Sequence, residues 1–134
     1  MNDMLRSFLS AAAAAAVIGL IGGPVLAGAG DYVFEAVQQE MKKGDDVTVA
    51  LRLVHKPSGK TVPDAVIVRT RIDMAPDGMA TMESPVTPLP SPESGVYAFK
   101  TDLPMEGRYQ FSIAAKVQGE QETITNRVIF KAVK

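Results

Sequence analysis

The chain has 134 residues, 14 basic and 15 acidic side chains and a formal net charge of −1. It holds no cysteine, no tryptophan and one histidine, His55. That inventory excludes a disulfide framework, a thiolate metal site, a blue-copper centre and a thiol nucleophile. The even charge gives no electrostatic reason to bind nucleic acid or an anionic membrane surface.

The first segment has the order of a secretory signal. Met1 to Ser7 is short and polar, with Arg6 its only basic residue, and Phe8 to Leu26 is apolar apart from Ser10, including the alanine run Ala11 to Ala16. Gly22-Gly23-Pro24 breaks the helix, and Val25-Leu26-Ala27 offers small or aliphatic residues for signal peptidase, with Ala29 as a second cleavage point. Residues 1–27 are therefore expected to be a signal-peptide helix, and 28–134 one domain. The competing reading is an uncleaved anchor, since the run approaches the ~20 residues of a bilayer span; alanine, glycine and the early Pro24 break make it a weak one. Both readings put the domain outside the cytoplasm, and the alanine-rich run suggests the periplasm. Only an uncleaved N-terminal segment would tie it to a membrane. Removing residues 1–27 removes one acid and one base, Asp3 and Arg6, so the remainder keeps a net charge of −1.

The rest alternates with period two, the pattern of half-buried strands. Tyr32 to Val37 can form a first strand. Val47, Val49, Leu51 and Leu53 alternate with Thr48, Ala50 and Arg52, and Lys56-Pro57-Ser58-Gly59-Lys60 then makes a turn. From Ala65 to Met74, strict alternation puts Val66, Val68, Thr70, Ile72 and Met74 on one face and Arg69, Arg71 and Asp73 on the other. Pro85, Pro88, Pro90 and Pro92 mark a stretch that cannot be a central strand. Gly95 to Thr101 is a further strand. Tyr109, Phe111, Ile113, Ala115 and Val117 form one face of the next, and Ile124, Val128, Phe130 and Ala132 that of the last, joined as a hairpin around Gly119-Glu120. Six or seven short strands without an amphipathic helix predict an all-β, immunoglobulin-like β-sandwich of about seven antiparallel strands. Tyr97 and Tyr109, each two residues after a glycine, are tyrosine-corner candidates.

An enzyme is not expected: without cysteine and with one histidine, most nucleophile–base arrangements are missing. Asp45-Asp46, Asp64, Asp73 and Asp77 read as solvated loop acids or strand flanks. The unusual feature is methionine. Beyond Met1 and Met4 the chain has five, and three of them, Met74, Met79 and Met82, lie between Asp73 and Met82. Pro76-Asp77-Gly78 is a turn signal, so Met74 and Met79 flank a chain reversal. Thioether sulfur is a soft, uncharged ligand that suits Cu(I) and survives an oxidising compartment. With His55 or Met105 added by the fold, such a set favours Cu(I) over Zn(II) or Cu(II). The bland alternative is packing: Met74 has core parity, Met79 and Met82 could line a sandwich end, and His55 and Met105 sit at turns.

The chain also resembles the FixH/YtkA-like family of small extracytoplasmic proteins. The resemblance rests on Lys56 to Lys60, Pro63-Asp64-Ala65, Asp73 to Met79, Gly95 to Met105, Gly107-Arg108-Tyr109 and Lys116 to Glu120, covering residues 46–133. It implies a periplasmic immunoglobulin-like sandwich from a Gram-negative bacterium. Similar domains accompany copper efflux systems, multicopper oxidases and oxidase assembly. It further implies Met74, Met79 and Met82 as copper-contacting residues, with Met105 at a matching Leu-Pro-Met position. Two departures matter: Tyr109 stands where the family often has tryptophan, and the N-terminal segment looks cleavable where FixH proteins are membrane-anchored. The expected function is a periplasmic accessory protein holding Cu(I) through Met74, Met79, Met82, Met105 and His55, for efflux or for delivery to a copper enzyme. The alternative is a non-metal interaction module docking on an efflux or oxidase-assembly complex.

Overall fold

The computed structural model describes residues 29–134; the expected signal helix and its cleavage region lie outside them. Ten strands follow in chain order: β1 (Tyr32–Ala36), β2 (Glu40–Lys42), β3 (Gly44–His55), β4 (Lys60–Thr61), β5 (Val66–Met74), β6 (Met79–Ser84), β7 (Val86–Leu89), β8 (Val96–Leu103), β9 (Gly107–Lys116) and β10 (Ile124–Val133). Among the described residues the only helical pieces are single 3-10 turns at Ala29–Asp31 and Ala75–Asp77. None is long and apolar enough to cross a membrane.

The strands form two five-stranded sheets. One has the order β1-β3-β8-β7, with β4 added onto β3; the other has the order β2-β10-β9-β5-β6. These two orders correspond to A-B-E-D and G-F-C-C′ of the immunoglobulin sandwich. The expected fold is present, with ten strands where about seven were anticipated. One pair departs from the antiparallel rule: β2 runs parallel to β10, pairing Met41 with Ala132.

The alternation read from β9 and β10 is the alternation of the core. Tyr109, Phe111, Ile113, Ala115, Ile124, Val128, Phe130 and Ala132 are all buried, facing Val49, Leu51, Leu53 and Phe99 of the other sheet. Phe99 meets Phe111 edge to face at 5.0 Å, and Tyr109 stacks on Phe130 at 5.7 Å. Each such fully buried large side chain contributes roughly 1.5–3 kcal/mol of transfer free energy, so the fold needs no cross-link.

Strand β5 corrects the face expected from strict alternation. A β-bulge between Ile67 and Arg69 inserts Val68 as an extra residue. Residues before the bulge change face: Ile67 packs against the core, while Val66 and Val68 are exposed. From Arg69 onward the expected alternation holds. Asp45 and Asp46, expected in a turn, lie within β3 at another irregularity in the ladder. The proline-marked stretch yields β7, an edge strand, as its chemistry requires.

Candidate functional site

The methionine turn is built by Asp73 to Met79. β5 ends at Met74, and Ala75–Asp77 makes one 3-10 turn with Pro76 inside it. Gly78 closes the turn in the left-handed region (φ 78°), which glycine adopts without strain. The Asp73 carboxylate accepts the Ala75 N–H at 2.9 Å, capping the turn. Met79 then opens β6 directly opposite Met74. Facing residues in an antiparallel pair have Cα atoms about 5 Å apart, so the reversal predicted from Pro76-Asp77-Gly78 does bring these two side chains together.

A second loop joins them. The β8–β9 connection, Pro104 to Glu106, carries Met105 and ends at Gly107. The Asp77 carboxylate bridges the two loops: it accepts the Arg108 backbone N–H and the Arg108 Nε, each at 2.8 Å, while Arg108 Nη2 donates to the Pro76 carbonyl at 2.7 Å. These bonds, the backbone donor foremost, hold the Asp77 carboxyl below the ordinary carboxylate range. Gly107 has φ 144°, and a Cβ there would stand 2.8 Å from Met74 Cε and 2.5 Å from Asp77 Oδ2. Only glycine lets the two loops approach this closely.

The five expected donors fall into three groups. Met74 is 1% exposed and belongs to the core; Met79 is half-buried against it; Met105, 38% exposed, is on the loop at the same end, two residues before the Gly107 that Met74 approaches. Met82, 45% exposed, lies three residues beyond Met79 on the edge strand, roughly 10 Å along the chain. His55 is not brought to this end. β8 starts beside Arg52 and finishes beside Gly44, so His55 and Met105 lie at opposite ends of the sandwich, on the order of 25 Å apart. There the His55 ring packs on Tyr32 at 5.1 Å, and its Nδ1 shares a 2.8 Å hydrogen bond with Ser58 Oγ.

Met41 is a methionine at this end that sequence reasoning did not single out. It pairs with Ala132, which pairs in turn with Gly107, so it sits at the methionine end and packs against the core there. Glu40 to Lys42 is too short to announce a strand, and its partner is the last strand of the chain.

Among the described residues no group of three or more His, Asp or Glu side chains is placed to hold a metal ion. The donors that do share one end are thioethers, whose softness fits Cu(I) and not a hard cation. The chain matches the model of the YtkA-like family over residues 26–114. The chain belongs to the YtkA-like family. That match spans β1 to most of β9, beginning earlier and ending sooner than the resemblance read from motifs. Among solved structures, this YtkA-like chain is similar to the one described as the ZirS C-terminal domain, at 11% identity and a TM-score of 0.45, covering 98% of this chain and 88% of that one. No curated protein matches significantly.

Proposed function

We propose that this YtkA-like sandwich is a periplasmic accessory protein that holds Cu(I) at its methionine end, for efflux or for delivery to a copper enzyme. The observation that carries this reading is the pairing of Met74 with Met79 across the turn, beside the loop that bears Met105. Met79 and Met105 are the donors reached from solvent; Met74 lies behind them. Met82, exposed on the edge strand, is an outer donor through which the ion is handed on. His55, at the far end, has no part in this set.

Bound Cu(I) would supply a soft acceptor that exchanges readily among thioethers. The protein supplies position. Tyr109, whose hydroxyl is hydrogen-bonded to the Met105 backbone, and the Asp77–Arg108 bridge fix the two loops. Thioethers have no proton to lose, so binding is insensitive to pH near neutrality. Titration of the apoprotein with Cu(I) against a chelating competitor tests the reading. The Met79→Leu/Met105→Leu variant is expected to bind at least about tenfold more weakly, a change of about 1.4 kcal/mol. Equal affinity in that variant and the native chain would sink it.

A further inference from the structure

The outward face of the second sheet carries a furrow with its own chemistry. A cavity of about 790 Å³ lies across β5, β9 and β10, lined by Arg69, Arg71, Ser112, Ala114, Thr125 and Arg127 among others. The register explains its shape. Arg71, Ser112 and Arg127 form one row across three strands, and Arg69, Ala114 and Thr125 the next. The floor, on β9, is thus two small residues, and the walls on either side hold arginines.

The arginines differ in their engagements. Arg71 is consumed: it pairs with Asp73 at 2.7 Å and Glu83 at 3.1 Å and donates to the Ala80 carbonyl at 2.7 Å. It ties β6 to β5 where their pairing is irregular and forms a fixed wall. Arg69 and Arg127 are exposed, and among the described residues neither has an ion pair or a side-chain hydrogen bond. A chain of net charge −1 therefore presents two uncompensated guanidinium groups on opposite walls of one concavity.

Their spacing selects a ligand. Arg69 and Arg127 stand on opposite sides of β9 and one row apart, about 7 Å along the strand direction. Alternate side chains of an extended peptide repeat at that same interval. The two arginines are also two strand spacings apart, about 10 Å across β9, so two carboxylates at alternate positions of one extended strand suit them better than one small anion. Exposed Val68 and Ile129, on the flanking strands, add apolar contacts above and below the arginine rows. A flat lipid surface does not reach the recessed floor, whereas a single extended strand does.

We propose that this furrow binds an extended acidic segment of a partner protein, with carboxylates at alternating positions read by Arg69 and Arg127. Arg69 and Arg127 face outward while Met74 and Met79 pack inward, so the peptide contacts lie apart from the methionine end; of the furrow's walls, Arg71 reaches that end through Asp73.

The test uses the purified protein and fluorescent peptides in an anisotropy titration at low salt. One peptide carries glutamates alternating with valines; a second has the same composition with its glutamates adjacent; a third replaces glutamate by glutamine. The alternating peptide is expected to bind most tightly, with affinity falling as salt rises. Contacts at solvent-exposed arginines are individually modest, so Arg69→Gln and Arg127→Gln should each weaken it about two- to fivefold, and the double variant more than either. Both sites are exposed, and an unchanged thermal melt verifies folding. The Met79→Leu/Met105→Leu variant should bind the peptide as the native chain does. Equal binding of all three peptides, unaltered binding by both arginine variants, or binding only to anionic phospholipid vesicles would overturn the proposal.

Discussion

Tyr109 holds Met105 by its backbone. The phenol donates to the Met105 carbonyl at 2.9 Å and accepts the Met105 N–H at 3.3 Å, while its ring stays stacked on Phe130 in the core. This is a tyrosine corner, with the hydroxyl reaching back four residues in the chain. Tyr97 does similar work at the other end over a longer span, donating to the Val62 carbonyl at 2.6 Å and accepting the Ala65 N–H at 3.0 Å. Tyr109→Phe keeps the stacked ring and removes both bonds to the loop. It should cost about 1–2 kcal/mol, read as a lower urea midpoint with an unchanged slope. If Cu(I) is held as proposed, the released loop also lowers its affinity. An unchanged midpoint would mean that the loop is fixed by other contacts.

The Asp77–Arg108 bridge makes part of the stability depend on acidity. The Asp77 pKa is lowered in the folded chain, chiefly by the Arg108 backbone donor and then by its side chain. A depressed carboxyl pKa stabilises the fold above the unfolded value, near 3.9, and that contribution disappears as pH falls through the folded value. Asp77→Asn keeps the shape but removes the charge. Its melting temperature should lie below that of the native chain at neutral pH, and the gap should close on acidification below about pH 4. A gap that is constant down to pH 3 would show that the bridge is not the cause.

The strands that carry complete alternation were legible in the sequence because each faces one core and has a long antiparallel partner. β3, β9 and β10 are of this kind. The Val68 bulge was not legible, because an inserted residue is defined by the partner strand and a period-two count on one strand cannot contain it. β2 and β4 escaped notice because a triplet and a pair have no measurable period, and β6 because its four middle residues are all exposed and do not alternate. At the methionine end, the turn chemistry of Pro76-Asp77-Gly78 announced the approach of Met74 to Met79. What brought the loop of Met105 to that end is the close passage of Gly107 against Met74 and Asp77, a tertiary fact. His55 offered donor chemistry without location: nothing in its neighbours says which end of the sandwich it occupies.

Met74 and Met82 have the same side chain and opposite surroundings. Met74 is sealed among core residues, so Met74→Ala leaves a cavity and should cost about 2–5 kcal/mol. Met82 is exposed on the edge strand, and Met82→Ala should change stability by less than about 0.5 kcal/mol. Chemical denaturation of the two variants checks both numbers. The comparison also bears on copper: Met82→Ala can be scored for ion transfer without a folding correction, whereas Met74→Ala cannot. Comparable losses at the two positions would contradict the burial difference.

Thr101 is a place where the fold can be improved. It is 1% exposed near the end of β8, paired with Val47 on one side and Val86 on the other. Among the described residues its Oγ1 is the one buried side-chain polar atom without a hydrogen-bond partner. Burying an unsatisfied hydroxyl costs on the order of 1–3 kcal/mol, and valine has nearly the same shape with no polar atom to strand. Both residues are β-branched and suit a strand equally. Thr101→Val should therefore raise stability by about 1 kcal/mol, seen as a higher melting temperature with unchanged peptide and Cu(I) binding. A loss of stability would show that the hydroxyl is satisfied in solution, by a trapped water or by a rotamer that reaches a backbone carbonyl.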